Sequence, residues 1–210
     1  MFYTEVMDDA YRFGDVLRGY FISNTNINYP YLERQISEKS YHQIDVFFPE
    51  FCVILTPCCS IGDGIIKLTP LIKVMKDFFD NPYLAGDLTR LNREMEPEQS
   101  VSPRVWEGLG EEERARRLSS VKGYASYEYF IYEQNPLLPK YNIKEIEIGY
   151  YMIDFKNIFK VNCNRIPNAK QAPMEAKCLQ LSIEARRELR EKISYYFWRP
   201  AEEDEISTEY

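Results

Sequence analysis

This 210-residue chain has a single histidine, His42. A nucleophilic cysteine commonly takes imidazole as its base, so any Cys–His arrangement here has one base to draw on. Long apolar runs are absent too. No stretch approaches the ~20 residues that cross a bilayer as a helix, which excludes a spanning helix. The opening MFYTEVMDDAYRF carries neither a basic n-region nor an apolar h-region, so no secretory leader is expected. Five cysteines, an odd count without a leader, then fit free thiols in a reducing cytoplasm. There is no Gly-rich phosphate loop. Gly62-Asp63-Gly64 has no Lys-Ser or Lys-Thr behind it.

Positive charge is also scarce. The net charge is −7, where a nucleic-acid binder usually shows a basic balance or a basic stripe. Two basic clusters, Arg114–Arg117 and Arg186–Arg190, are interleaved with Glu at spacings that suit ion pairs on a helix surface. Solvated helix faces are the expectation, and nucleic acid is disfavoured as a partner.

Apolar residues make up 45 % and aromatics 15 %, enough for a real core. Tyrosine is abundant, at 17. It buries a ring and keeps a polar tip, so it suits sheet surfaces first and partner surfaces second. The length fits one domain, or one domain with a substantial insertion.

Gly14–Ile22 reads as a strand, and Ser23–Asn28 as a loop of turn formers. Phe51–Thr56 is apolar on both faces and should be a central strand. Gly62-Asp63-Gly64 separates it from a second apolar strand, Ile65–Leu68, as a hairpin connection would. Thr69-Pro70 resembles a helix cap with proline at the first position, although Leu71–Val74 could equally continue a sheet. Strand signals fade over residues 77–122. There Ser102-Pro103 opens a short helix around Trp106, and Glu111–Val121 sets acids before bases as the helix dipole favours. Strand character returns at Tyr124–Tyr132 and Ile143–Phe155, where Gly149 marks a bulge. Asn164–Pro173 is a loop. Ser182 caps a C-terminal helix over 182–198, whose core stripe is Ala185, Leu189, Ile193, Tyr196 and Phe197. The acidic tail 201–210 has a composition that does not fold.

No catalytic constellation stands out. Cys58 and Cys59 are adjacent, which is awkward for one tetrahedral metal, and Cys163–Cys178 has no zinc-module spacing. No metal and no cofactor are expected. Cys58, at a strand end, is the best candidate thiol, and a packed turn cysteine is its plainer reading. Asp15, Asp63 and Asp154 are single carboxylates at turns or strand ends, where Asp is common for backbone reasons alone.

Gly14-Asp15-Val16, Val53-Ile54-Leu55-Thr56 and Leu68-Thr69-Pro70-Leu71 together resemble the PemK/MazF type of SH3-like barrel over roughly the first 75 residues. That resemblance implies an RNA-cleaving toxin, with Thr56 at one active-site position. The arginine it places before the apolar strand is missing, because Phe47–Phe51 holds Glu50 instead. Leu55–Ser60, Asp154-Phe155 and Phe197–Pro200 resemble small bacterial proteins found near defence genes, of which the small accessory protein of type III-E CRISPR systems is one. Cys59-Ser60 departs from the Cys-Asp pair of that group.

The expectation is therefore an α+β fold, a single domain over residues 1–200. An SH3-like barrel is built from strands within 12–76 and 124–161, with a helical insertion at 77–122 and the C-terminal helix alongside. The expected function is non-enzymatic: a cytoplasmic accessory component of a prokaryotic antiviral, CRISPR-associated system that binds another protein of that system. Asp15, Thr56, Cys58, Cys59 and Asp63 are its candidate groove residues, and none is assigned a catalytic role. An RNA-cleaving toxin and a Cys58-dependent enzyme are the alternatives.

Overall fold

Apolar alternation, broken often by Gly, Pro and Asn, cuts the chain into short strands. In chain order they are β1 (Val16–Arg18), β2 (Ile22–Asn26), β3 (Gln43–Phe47), β4 (Phe51–Ile54), β5 (Ile65–Pro70), β6 (Ile72–Lys73) and β7 (Glu94–Met95). Then come β8 (Gly123–Tyr124), β9 (Tyr129–Tyr132), β10 (Tyr141–Ile143), β11 (Ile146–Ile148), β12 (Tyr151–Asp154), β13 (Phe159–Asn162) and β14 (Lys177–Leu179). Three helices accompany them: α1 (Pro103–Gly108), α2 (Glu111–Leu118) and α3 (Ile183–Trp198). This is a computed structural model, and it describes residues 1–26, 43–62, 64–120, 122–143 and 145–198. The architecture is α+β with several small antiparallel sheets. The chain divides into two compact units, one of Val6–Leu71 with Asn157–Gln180, the other of Met1–Glu5, Ile72–Lys156 and Leu181–Tyr210.

The first unit is built on a five-stranded sheet in the order β13-β5-β4-β1-β14. β4 is central and every one of its residues is buried, as its two-faced apolar run requires. β5 alternates, with Ile66 and Leu68 inward and Ile65 and Lys67 outward. Leu17, Ile22, Cys52, Ile54, Ile66, Leu68, Tyr11 and Ile166 form one cluster. Each fully buried aliphatic side chain there contributes about 1.5–3 kcal/mol.

The expected barrel is not formed among the described residues. Closure needs the end strands of a sheet to pair. Here the end strands are β13 and β14, each hydrogen-bonded on one side only. Tyr129–Tyr132 and Tyr151–Asp154 were expected to complete that barrel, yet they pair with each other, and Tyr151–Asp154 also with Ile72–Lys73, in a separate sheet, β6-β12-β9.

Local expectations change in several places, and Ile143–Phe155, expected as one strand with a bulge at Gly149, is divided between β11 and β12 in different sheets. Gly14–Ile22 is two strands, because Gly19 takes φ +83 and ends β1. Ser23–Asn26, read as a loop, is strand, paired with Gln43–Phe47 from Ile22↔Phe47 to Asn26↔Gln43. Cross-strand pairing overrides the turn propensity of its polar residues. Thr69-Pro70 does not open a helix. Pro70 is the last residue of β5, where a missing N–H is tolerated. Lys177–Leu179 lies in a stretch without alternation, and it pairs with β1.

The second unit packs Val74, Leu84, Leu88, Leu91, Met95, Ile131 and Met152 together. Asn92 sits beside β9 and stands in for a strand. Its amide donates to the Ile131 carbonyl (2.8 Å) and accepts from the Ile131 N–H (2.6 Å). Helix starts follow the sequence: Ser102 accepts from Val105 N, and Ser182 from Ala185 N. The basic clusters pair with acids as their spacing indicates, Arg116 and Arg117 with Glu113, and Arg187 with Glu191. The α3 stripe differs from expectation. Ala185 and Leu189 are buried, but the third buried position is Lys192 and Phe197 is exposed. Lys192 has no solvent exposure. Its ammonium donates to the Leu91 carbonyl and lies 5.1 Å from the Tyr124 ring centroid. The acidic tail lies outside the described residues.

Two outcomes test this packing. Gly64 has φ +71, and a Cβ there would overlap the Cys163 carbonyl oxygen. Gly64→Ala should therefore destabilise the protein by about 1–3 kcal/mol, read from its urea midpoint. An unchanged midpoint would contradict this close approach. Burial also pushes the Lys192 amine well below its usual range. An unfolded chain holds that proton up to about pH 10.4, so between the lowered value and that pH it binds more protons than the fold. Stability therefore rises with pH across that window. From about pH 6 to about pH 9 the wild type should gain stability relative to Lys192→Met. Parallel profiles would show that Lys192 does not titrate this way.

Candidate functional site

The Gly14-Asp15 pair is an interior device. Gly14 takes φ +88, and Asp15 N donates to Arg12 O (3.1 Å), closing a turn into β1. The Asp15 carboxylate accepts from Arg12 N (2.7 Å) and pairs with the Lys177 ammonium (2.8 Å), with both side chains shut off from solvent. Lys177 donates further to Ala10 O (2.8 Å), Gln180 Oε1 (2.7 Å) and Asp8 O (3.3 Å). Gln180 returns to Asp8, accepting from its N–H and donating to its carboxylate. Asp15 thus sits in a buried, internally paired network.

Thr56 is buried, and its hydroxyl accepts from Lys67 N (2.6 Å), fixing the end of β4 to β5. A single 3-10 turn, Cys58–Ser60, follows Pro57. Cys58 is half-buried, and the Arg12 guanidinium donates to its sulfur at 3.6 Å. Arg12 also pairs with Asp8 (2.6 Å), which holds the Asp8 carboxyl below its usual range. Cys59 is exposed, 3.8 Å from the Ser60 hydroxyl. Asp63 and His42 lie outside the described residues. Among those described, no group of three or more His, Cys, Asp or Glu is placed to hold a metal ion. The described ones among the predicted site residues therefore fall into a buried ion pair, a buried strand end and a thiol turn.

A groove does exist elsewhere in the same unit. It measures about 670 Å³ and runs between the β1–β2 corner, β13 and the Pro173–Ala176 segment. Arg18, Lys160 and Arg165 bring three cations to it against one acid, Glu175, which pairs loosely with Arg165 (3.3 Å). Tyr20 lines it. Its hydroxyl meets that of Tyr11 at 3.2 Å, and Tyr11 donates to Pro173 O (2.8 Å). Burial pushes both phenols up, so both keep their protons at neutral pH. Phe21 lines it too, 59 % exposed, with its ring 5.9 Å from that of Phe48, which is 78 % exposed.

No family model, curated protein or solved structure matches this chain.

The other unit has a cleft of about 780 Å³ lined by Tyr124, Tyr195 and Trp198. Its arginines Arg93, Arg187 and Arg190 face an equal number of glutamates, and Arg93 pairs with Glu188 at 2.8 Å. That cleft is electrically balanced, while the groove at β13 is cationic. Sequence reading missed the groove because Arg18, Lys160 and Arg165 are isolated basic residues. Basic runs were the signal sought, and those runs lie on helices paired with Glu.

Removing one partner of a buried ion pair leaves the other charged and unsolvated, a cost of about 3–5 kcal/mol. Asp15→Ala and Lys177→Met should each lose about that much in urea unfolding. The double variant should lose less than their sum. Additive losses, or losses within a few tenths of a kcal/mol, would show that the pair does not organise this unit.

Proposed function

We propose that this chain is a non-enzymatic module that holds another protein, as an accessory component of a prokaryotic antiviral defence system of the CRISPR-associated kind. It acts in the cytoplasm, needs no cofactor and does not engage nucleic acid. The open five-stranded sheet is taken here as a derivative of the SH3-like arrangement of the PemK/MazF type. One observation carries the binding reading. Asp15 and Thr56, two of the candidate groove residues, are spent on internal contacts, while a cationic groove elsewhere in the same unit stays open. The defence setting rests on the resemblance at Leu55–Ser60 and Asp154-Phe155.

An RNA-cleaving toxin is the second reading, and one contact favours it. Arg12 brings a guanidinium to Cys58, two residues past Thr56, where the preceding strand supplied no cation. The burial of Thr56 weighs against it, since a reacting phosphate must reach that hydroxyl.

Tagged protein recovered from its host should carry one protein at near-equal stoichiometry, without RNA, and its expression should not arrest growth. Growth arrest with RNA cleavage, lost in Thr56→Ala, would replace this reading with the toxin. A turnover lost in Cys58→Ala would replace it with a thiol enzyme.

A further inference from the structure

We propose that the cationic groove of the first unit takes a phosphorylated side chain of a partner protein, with apolar residues of the same segment lying on the adjoining face of β2 and β3. The proposal rests on the protein-binding reading and names the chemistry of the partner. β2 lies alongside β13, so a ligand meets side chains there and not a bare strand edge. Floor and rim separate by strand alternation. Tyr20, Val161 and Cys163 pack against the core cluster and form the floor. Phe21, Ser23, Lys160 and Asn162 are exposed and form the rim.

The charges of this groove do not balance. Its one acid, Glu175, is paired with Arg165. Arg18 and Lys160 have no carboxylate partner among the described residues. The Arg18 guanidinium lies 4.7 Å from the Phe51 ring centroid. Stacking holds its flat face and leaves its N–H edge for a ligand. Two unmatched cations suit a dianion. A phosphate monoester carries about −1.5 to −2 near neutral pH, and a guanidinium meets its oxygens two at a time. A carboxylate would leave one of the two charges unmatched.

The surface beside the groove points to a protein as the carrier of that phosphate. Ile22 pairs with Phe47 and Ser23 with Val46. Ile22 and Phe47 turn to the core, so Phe21, Ser23, Val46 and Phe48 share the opposite face. Phe21, Val46 and Phe48 are all exposed there. Phe21 and Ser23 also line the groove, so the apolar patch runs on from the charged site. Charged contacts bordered by an exposed apolar patch match the make-up of a protein interface. Inorganic phosphate or a mononucleotide held in the groove would leave Val46 and Phe48 in water. A nucleic acid would set many phosphates against a chain of net charge −7, where a peptide brings one.

The test passes two degenerate decapeptide pools over the immobilised full chain, one with a fixed central phosphothreonine and one with threonine there. The phosphorylated pool should be retained about tenfold more strongly, and the retained sequences should be enriched in apolar residues near the phosphate. Arg18→Gln combined with Lys160→Gln should lose about tenfold of that retention. Lys160→Gln alone, an exposed change without a paired acid, should lose about threefold, which keeps the test if the double variant is unstable. Phe21→Ser with Phe48→Ser should keep the phosphate dependence and lose the apolar enrichment. Equal retention of the two pools, retention unchanged in Lys160→Gln, or stronger binding of uridine monophosphate or of a ten-nucleotide oligouridylate than of the phosphorylated pool would each overturn the proposal. Capture from the host separates the two readings. A protein partner still held after phosphatase treatment, and held equally by the double variant, removes the phosphate site and leaves the binding module. Phosphopeptide retention without any captured protein removes the module's cellular role and leaves the site.

Discussion

The buried pair of Asp15 and Lys177 is the constraint on which the first unit depends. Its two charges leave water only because the chain surrounds them with partners. Arg12 N serves the carboxylate, while Ala10 O, Asp8 O and Gln180 Oε1 serve the ammonium. Those groups come from the lead-in before β1 and from the end of β14, segments far apart in sequence. Desolvating two ions is expensive, and an apolar pair of similar volume would often do as well for stability. The ionic solution offers direction. It accepts one register of β14 against β1, and β1 alone could not supply that with its three residues.

The second unit uses buried polarity for the same end with neutral groups. Asn92 makes a two-point contact with Ile131 and aligns the 3-10 segment Leu88–Asn92 with β9. Lys192 presses on the same segment through the Leu91 carbonyl. Lys177 and Lys192 are both buried, yet their surroundings differ. Lys177 meets a carboxylate. Lys192 meets a carbonyl and a ring, so its charged form lacks compensation and the proton is held weakly.

What was legible in the sequence was local and apolar. The run Phe51–Ile54 has one physical solution, a strand covered on both faces, and it is found at the centre of its sheet. Ser102-Pro103 and Ser182 announced helix starts because a cap is a contact within one turn. The failures share a cause. Ser23–Asn26 becomes strand through a partner some twenty positions away, and Lys177–Leu179 through one much farther off. Sheet closure is likewise a property of which strands meet, so a barrel expected from the resemblance of short motifs could not reveal that β13 and β14 do not pair. Asp15 looked like a candidate ligand group because its Lys177 partner is remote in sequence. The groove stayed hidden because its cations are dispersed at positions 18, 160 and 165.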